Sequence, residues 1–206
     1  MLARDVVGTV PVGSDLRRLV RALATDYPDT WTYAVDGLIG ASPETLVTVS
    51  GGTVTARVLA GTIPRGTDAG DDVAASDTLA HSDENLDEHR YAVRSVLDLV
   101  AALHPTAAVA GTPTDAAIEV IRRIEPFDRG RYAGPVGWVD ANGDGEWAIA
   151  LRCAQIGAPP ARRFATYSDT IPVVAHAGAG IVAGSDPDAE LIETRVKFRP
   201  IVDALA

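Results

Sequence analysis

The amino-acid sequence predicts an α+β fold in which mixed or antiparallel sheets are flanked by helices. Short β-rich runs, separated by Gly, Asp and Ser, dominate residues 30–62 and 134–156. Runs with helical periodicity lie before, between and after them. These strands and helices do not alternate in the regular βαβ rhythm of a doubly wound sheet. We therefore expect residues 1–206 to form a single α+β domain.

The first half of the chain is expected to contain one helix among five strands. The run LARDVVGTV is strand-like, and GSDLRRLVRALATDYP indicates a helix that is capped near Ser14 or Asp15. Four further β-rich runs follow, TWTYAV, GLIGAS, TLVTVS and TVTARVLAGT. Gly51 and Gly52 predict a hairpin turn between the last two runs.

The second half is expected to contain three helices and one hairpin. One helix begins near Asp83, and TPTDAAIEVIRRIEPFD predicts the next, capped by Thr112 or Thr114. The run GPVGWVDANGDGEWAIALRCAQI predicts two strands about an Asn-Gly-Asp-Gly turn. The last helix is expected to be capped by Ser185 or Asp186, with a proline in its first turn.

Composition excludes several classes of partner. With 28 acidic and 18 basic side chains the formal charge is −10, which argues against a nucleic acid or an anionic membrane as the main partner. Cys153 is the only cysteine, so neither an intrachain disulfide nor a cysteine-based metal knuckle is expected. The sequence contains no long apolar run and does not start like a signal peptide. We expect a cytoplasmic monomer that binds a small molecule.

The stretch DANGDG, Asp140–Gly145, matches the first half of a calcium-binding loop. The second half fails, because the twelfth position is Leu151 where a bidentate Glu is required. Strand-like runs flank the stretch where helices are needed. A hairpin turn is therefore the preferred interpretation, and a calcium module is the weaker alternative.

The last helix places two acids and a base on one face. Glu190, Glu193 and Lys197 are spaced three and then four residues apart, so they point in similar directions on a helix. The glycines of the preceding HAGAGIVAGS allow a tight turn with exposed backbone N–H groups. Together these features suit a carboxylate ligand bridged to a hard cation. The alternative is a solvated face with a Glu193–Lys197 ion pair.

Three further charged positions stand out, each with a structural alternative. Glu44 follows a proline where a strand breaks, and an exposed loop acid is the alternative. Glu88 lies one turn after Glu84 on a helix, which also suits a solvated acidic face. Arg152 lies inside the apolar run WAIALRCAQ, where a guanidinium needs an anionic partner. It is either half of a structural ion pair or an anchor for substrate.

Several motifs occur in the order found in one enzyme family. They are LAGT, LHPT, EPFDRGRYAGPVGWVDANGDGEWAIALRCA, AGAGIV and a final Glu-x-x-Glu-Thr-x-x-Lys. The chain resembles the chorismate-binding enzymes over nearly its whole length, and the long block most resembles isochorismate synthases. Residues 1–206 would then be a partial chorismate-binding domain. The resemblance implies a magnesium-dependent enzyme that acts on chorismate, a dicarboxylate, without a redox cofactor.

The resemblance also implies roles for individual residues. Glu88 and Glu190 resemble the Mg²⁺ ligands, with Glu193 acting through water, and Glu44 resembles the general acid. The positions that resemble substrate contacts are Gly61, Thr62, Arg152, Gly178, Ala179, Gly180 and Lys197. Arg152 would anchor the enolpyruvyl carboxylate. Lys197 and the N–H groups around Gly178 and Gly180 would receive carboxylate oxygens.

The chain departs from the family in two places that bear on activity. Family members carry a lysine a few residues before the LARD-like strand, which serves as the base that activates water, and this lysine is not among the 206 residues. Relatives also have several dozen residues, including a His-containing segment, between RYAVRSVLDLV and AALHPT. We therefore expect this polypeptide to be an isochorismate synthase that is inactive in its present form.

Two other classes of function also fit the sequence. Salicylate synthase, or component I of anthranilate or aminodeoxychorismate synthase, would use the same metal and carboxylate anchors. A non-catalytic paralogue that binds a small dicarboxylate or a partner protein belongs to another class, and the missing lysine motivates it.

Overall fold

The structure is a computed structural model that describes residues 1–56, 96–157 and 169–205. Within these residues the chain forms nine strands and four helices. The strands are β1 (Leu2–Pro11), β2 (Trp31–Val35), β3 (Leu38–Ser42), β4 (Thr45–Ser50), β5 (Thr53–Thr55), β6 (Pro135–Val139), β7 (Gly145–Ile149), β8 (Cys153–Ile156) and β9 (Thr170–Ala179). The helices are α1 (Arg17–Asp26), α2 (Val96–Leu103), α3 (Thr114–Ile124) and α4 (Pro187–Leu205).

The strands form two antiparallel sheets, which confirms the predicted α+β class. The five-stranded sheet has the order β1-β9-β8-β3-β2, and the four-stranded sheet has the order β5-β4-β7-β6. The chain passes between the sheets at two described points, from β3 to β4 and from β7 to β8. These two crossings lie side by side, because β3 pairs with β8 and β4 pairs with β7.

Each sheet has its own hydrophobic core. Helices α1 and α4 cover the five-stranded sheet, where α1 packs on β2 and β3 and α4 packs on β8 and β9. Leu23 of α1 and Phe198 of α4 are buried in this core. Helix α2 packs on β4, where Val96 and Leu99 join Leu46 in the second core. Fully burying one such side chain contributes about 1.5–3 kcal/mol. Each of the two crossings therefore joins strands that are anchored in separate cores.

The helix boundaries confirm one predicted cap and correct two. The carboxylate of Asp186 accepts the N–H of Ala189 at 2.8 Å, as expected for a cap of α4. At α1 the cap position is Leu16, and Asp15 instead binds the backbone and side chain of Arg17. The cap position of α3 is occupied by the extended Pro113, whose fixed φ suits a helix entrance without a side-chain bond.

The predicted hairpin turns are present. Gly51 and Gly52 have φ of +55° and +78° between β4 and β5, which glycine adopts without steric cost. Asp140 turns the chain between β6 and β7, because its carboxylate accepts the N–H groups of Asn142 and Asp144 at 2.8 and 3.0 Å. The hairpin interpretation of DANGDG is confirmed. None of the helices in the three described ranges is both long and apolar enough to cross a membrane.

Two expectations about the last strands are wrong. The run from Gly134 to Ile156 forms three strands rather than two, because the chain breaks between Ile149 and Cys153. Arg152 therefore lies in that break, with φ of +48°, and not in the middle of a strand. Gly178 lies within β9 rather than in a glycine loop, which starts only at Gly180.

Candidate active site

The two crossings between the sheets bring Glu44 and Arg152 into neighbouring segments. Glu44 lies between β3 and β4, and its carbonyl accepts the N–H of Ile149 at 3.1 Å, at the end of β7. Arg152 lies between β7 and β8, and its carbonyl accepts the N–H of Ala41 on β3 at 3.2 Å. Each crossing is thus bonded to the strand that leads into the other. The fold fixes both predicted residues at one junction.

The backbone at Glu44 is held by the buried hydroxyl of Ser42. This hydroxyl donates to the carbonyl of Ile149 at 2.6 Å and accepts the N–H of Glu44 at 3.2 Å. Burial raises the pKa of the Glu44 carboxyl above its ordinary value, since desolvation disfavours the charged form. A carboxyl that keeps its proton to higher pH is suited to act as a general acid.

Arg152 is half-buried and adopts a left-handed backbone conformation that is uncommon for a residue with a side chain. Its guanidinium makes no ion pair with any residue in the described part of the chain. No acidic residue in the described ranges therefore forms the structural ion pair that the sequence offered as one alternative for Arg152.

Lys197 connects α4 to the end of β9. Its Nζ donates to the carbonyl of Gly178 at 2.7 Å and also pairs with the carboxylate of Glu193 one turn earlier. The ion pair that the sequence offered as the structural alternative is therefore present. It does not exclude binding, because both side chains remain partly exposed, at 26% and 49%.

The backbone around Gly178 is closely covered by β1. A Cβ at this position would lie 2.8 Å from the carbonyl oxygen of Leu2 and 3.0 Å from the side chain of Met1, so only glycine fits. Ala179 is buried as the last residue of β9, and Gly180 is exposed with open space where a Cβ would project. Of the three, Gly180 has the most accessible surroundings.

Two of the three predicted metal ligands lie on α4. Glu190 is half-buried, and Glu193 lies three residues later, close to the same face. Carboxylate oxygens are the ligands that Mg²⁺ takes from proteins, so this pair fits that ion. No group of three or more potential ligands converges within the described ranges. The third expected ligand, Glu88, lies outside the described residues, as do Gly61 and Thr62.

Sequence reasoning missed Ser42, which orients the backbone at Glu44. The available signal was its place directly before Pro43-Glu44 at the end of a strand, where a serine hydroxyl commonly binds the backbone two residues on. The acceptor in Ile149 belongs to a strand 107 residues away in sequence and could not be identified locally.

Comparison with known proteins finds relatives along the whole chain. Residues 1–97 and 92–206 each match a family model described as chorismate binding enzyme. MenF of Mycobacterium tuberculosis is 38% identical over 259 aligned positions, which cover all of this chain and 67% of that protein. The isochorismate synthase DhbC of Bacillus subtilis is 35% identical, and this chain spans 62% of it.

Among solved structures, DhbC from Bacillus anthracis has a TM-score of 0.69 at 32% identity, covering 99% of this chain and 66% of that one. The alignment with the mycobacterial relative is 259 positions long, whereas the present chain has 206 residues. The relative therefore carries residues inside the matched region that this chain does not have. The two family matches meet at residues 92–97, where α2 begins.

Proposed function

We propose that this chain, which belongs to the family of chorismate-binding enzymes, carries the active site of an isochorismate synthase. The reaction moves a hydroxyl group on the chorismate ring. Water adds at C2 while the hydroxyl at C4 departs, with the ring double bonds shifting between them. The sequence relatives support this reaction over others in the family, because DhbC of Bacillus subtilis is an isochorismate synthase at 35% identity.

The observation that carries the proposal is the environment of Glu44. Hydroxide is a poor leaving group, so a protonated carboxyl must be aimed at the departing oxygen. The raised pKa of Glu44, caused by burial, maintains that protonated form to higher pH. Ser42 and Ile149 fix the backbone beneath the carboxyl, so the acid is held in place before substrate arrives.

The carboxylates of chorismate need cationic or N–H partners. Arg152 presents a guanidinium without an ion pair among the described residues, and we assign it to the enolpyruvyl carboxylate. Lys197 and the backbone from Gly178 to Gly180 are assigned to carboxylate oxygens. The Lys197 ammonium binds the carbonyl of Gly178 at 2.7 Å and the carboxylate of Glu193, which leaves one of its three donors for a ligand.

Magnesium would be held by Glu190 and Glu88, with Glu193 acting through water. Bound there, the ion would neutralise the ring carboxylate of chorismate. The role of the described residues is to place two carboxylates on one side of α4, near the lysine that faces the same substrate. Glu193 would contribute both to Mg²⁺ binding and to the position of Lys197, because it also pairs with Lys197.

Incubation with chorismate and Mg²⁺, followed by chromatographic identification of products, tests the proposal. The assay is run on the 206-residue chain and on a version extended with the N-terminal and central segments of a relative. We expect isochorismate from the extended version, and its loss in Glu44→Gln. Asp36→Asn, at an exposed turn between β2 and β3, is the matched control and is expected to retain turnover.

Two alternatives give different results in the same assay. Salicylate as the product would indicate a salicylate synthase, which adds elimination of pyruvate. Chorismate binding without any product, in the extended version as well, would indicate a non-catalytic paralogue. Absence of both binding and product would overturn the proposed function.

A further inference from the structure

Glu125 and Arg129 form a buried ion pair just after α3. The Nε and Nη2 atoms of Arg129 donate to the two carboxylate oxygens of Glu125 at 2.8 and 2.6 Å. The two side chains are only 17% and 3% exposed. This two-pronged geometry fixes both side chains relative to each other.

The remaining polar groups of the pair bind the backbone of two other segments. The Oε1 atom of Glu125 accepts the N–H of Ala3 at 2.7 Å, and Nη2 of Arg129 donates to the carbonyl of Met1 at 3.1 Å. The Nη1 atom of Arg129 donates to the carbonyl of Val109 at 3.0 Å. The pair therefore ties the start of β1 to the loop before α3.

Among the described strands, β1 lies at the edge of its sheet, where such a tie can hold it. In an antiparallel edge strand, alternate N–H groups point away from the neighbouring strand and lack a ladder partner. The outward N–H of Ala3 is received by Glu125 in place of a further strand. A carboxylate at this one position pins the register of the strand, since a slip would remove the bond.

Ala3 and Lys197 both meet Gly178 of β9. Ala3 lies directly opposite Gly178 of β9, and the carbonyl of Gly178 accepts Nζ of Lys197 at 2.7 Å. Leu2 packs closely on Gly178, because a Cβ at Gly178 would lie 2.8 Å from the carbonyl oxygen of Leu2. We propose that Glu125 and Arg129 are positioning residues that hold the start of β1 against Gly178 and so orient Lys197 for its carboxylate ligand. The ligand part of this inference rests on the proposed function.

The first test measures amide hydrogen exchange by NMR in the parent protein and in Glu125→Gln. Glutamine keeps the shape but lacks the charge, and its single acceptor oxygen cannot replace both Oε1, which serves Ala3 and Nη2 of Arg129, and Oε2, which serves Nε. We expect exchange at Leu2–Arg4 to accelerate about tenfold, the usual consequence of losing a hydrogen bond to a charged group, while Val6–Pro11 keeps its protection. Unchanged exchange at Leu2–Arg4, or equal acceleration along all of β1, would overturn the positioning role.

The second test measures chorismate affinity by calorimetry with saturating Mg²⁺. Glu125→Gln and Arg129→Lys are expected to weaken binding about tenfold or more, because both break the two-pronged pair. Asp36→Asn removes an exposed ion pair with Arg131 on the β2–β3 turn and is expected to bind like the parent.

Thermal unfolding separates loss of positioning from loss of folding, and Arg129→Lys is the milder variant if Glu125→Gln fails to fold. Parent-like affinity in both folded variants would overturn the link to Lys197. A parent protein that does not bind chorismate would overturn the proposed function and, with it, the ligand part of the inference. The exchange experiment would still decide whether the pair pins β1.

Discussion

At the scale of single residues, Glu44 links the local structure to a measurable pH dependence. Its carboxyl is desolvated in the folded chain, so the folded state binds the proton more tightly than the unfolded state does. The contribution to stability is therefore fully present below the ordinary pKa of 4.5 and is lost as the pH rises through the higher folded pKa.

Glu44→Gln should accordingly be more stable than the parent near pH 7 and lose that advantage near pH 4. The neutral amide carries no desolvated charge, whereas the parent must ionise a buried carboxyl. Urea unfolding at the two pH values measures the difference. Glu119→Gln, exposed on α3, is the control. A parent that is equally stable or more stable than Glu44→Gln at pH 7 would contradict the desolvated environment of this residue.

Arg152→Lys is expected to weaken chorismate binding strongly. Lysine keeps the positive charge but lacks the planar fork that binds both oxygens of a carboxylate. Calorimetry with Mg²⁺ gives the affinity, and the free energy of unfolding is measured on the same sample. Unchanged affinity with reduced stability would instead indicate a structural ion pair.

The sequence identified these two residues with different success. Glu44 follows Pro43 at a strand break, and this local signal led to the correct location. Arg152 was expected inside a strand because its neighbours are apolar, yet its φ is +48° in a crossing between sheets. Local sequence does not reveal that an arginine adopts a positive φ. The backbone of Arg152 is bonded here to the distant Ala41, whose N–H donates to its carbonyl.

At the scale of secondary-structure elements, α4 combines a stable core face with a face available for ligands. Thr194 and Phe198 are buried against the sheet, and Glu190, Glu193 and Lys197 remain half-buried or exposed. The spacing of the charged residues was readable from the sequence because helical periodicity is local. The bond from Lys197 to Gly178 was not, because it depends on how α4 packs on β9.

Glu190→Gln should abolish Mg²⁺-dependent chorismate binding while the fold survives. A neutral amide does not replace a carboxylate ligand to a hard cation, and a surface substitution on a helix usually changes stability by less than about 0.5 kcal/mol. Calorimetry with and without Mg²⁺, together with thermal unfolding, checks both parts. Parent-like affinity in the presence of the ion would show that Glu190 is not a metal ligand.

Turns were predicted better than strand breaks. The Gly51-Gly52 and Asp140–Gly145 turns depend on residues whose backbone preferences are intrinsic. The structure adds one contact between them that no local pattern could reveal. The carboxylate of Asp144 accepts the N–H of Gly51 at 2.9–3.0 Å, which ties the two hairpins of the four-stranded sheet together.

At the scale of the whole molecule, the site depends on pairings between distant segments. The sequence predicted most of the described strands. The order β1-β9-β8-β3-β2 pairs the first strand with the last, and the pattern of apolar residues within a strand does not specify its partner. The resemblance to a family was therefore the route to function. The structure contributed the side-by-side crossings that bring Glu44 and Arg152 together.

We expect the 206-residue polypeptide to form no measurable isochorismate even with saturating Mg²⁺. The aligned relative carries residues within the matched region that this chain lacks. A pocket without part of its wall loses orientation of the substrate, and misplacing the reacting groups by about 1 Å costs about 10² in rate.

Restoring both segments from a relative discriminates a shortened enzyme from a non-catalytic paralogue. Turnover that appears only with both segments, and disappears again with Glu44→Gln, would support the shortened enzyme. A polypeptide with only one of the two segments added is the control, and we expect it to remain inactive. Isochorismate from the unmodified polypeptide would contradict the prediction and require another base among its own residues.

Two histidines lie in the described part of the chain: His104 is bonded to the carbonyl of Ala133 at 2.8 Å, whereas His176 stacks on Tyr132. His176→Phe would then be the first variant to assay, since phenylalanine preserves the stacking and removes the proton acceptor.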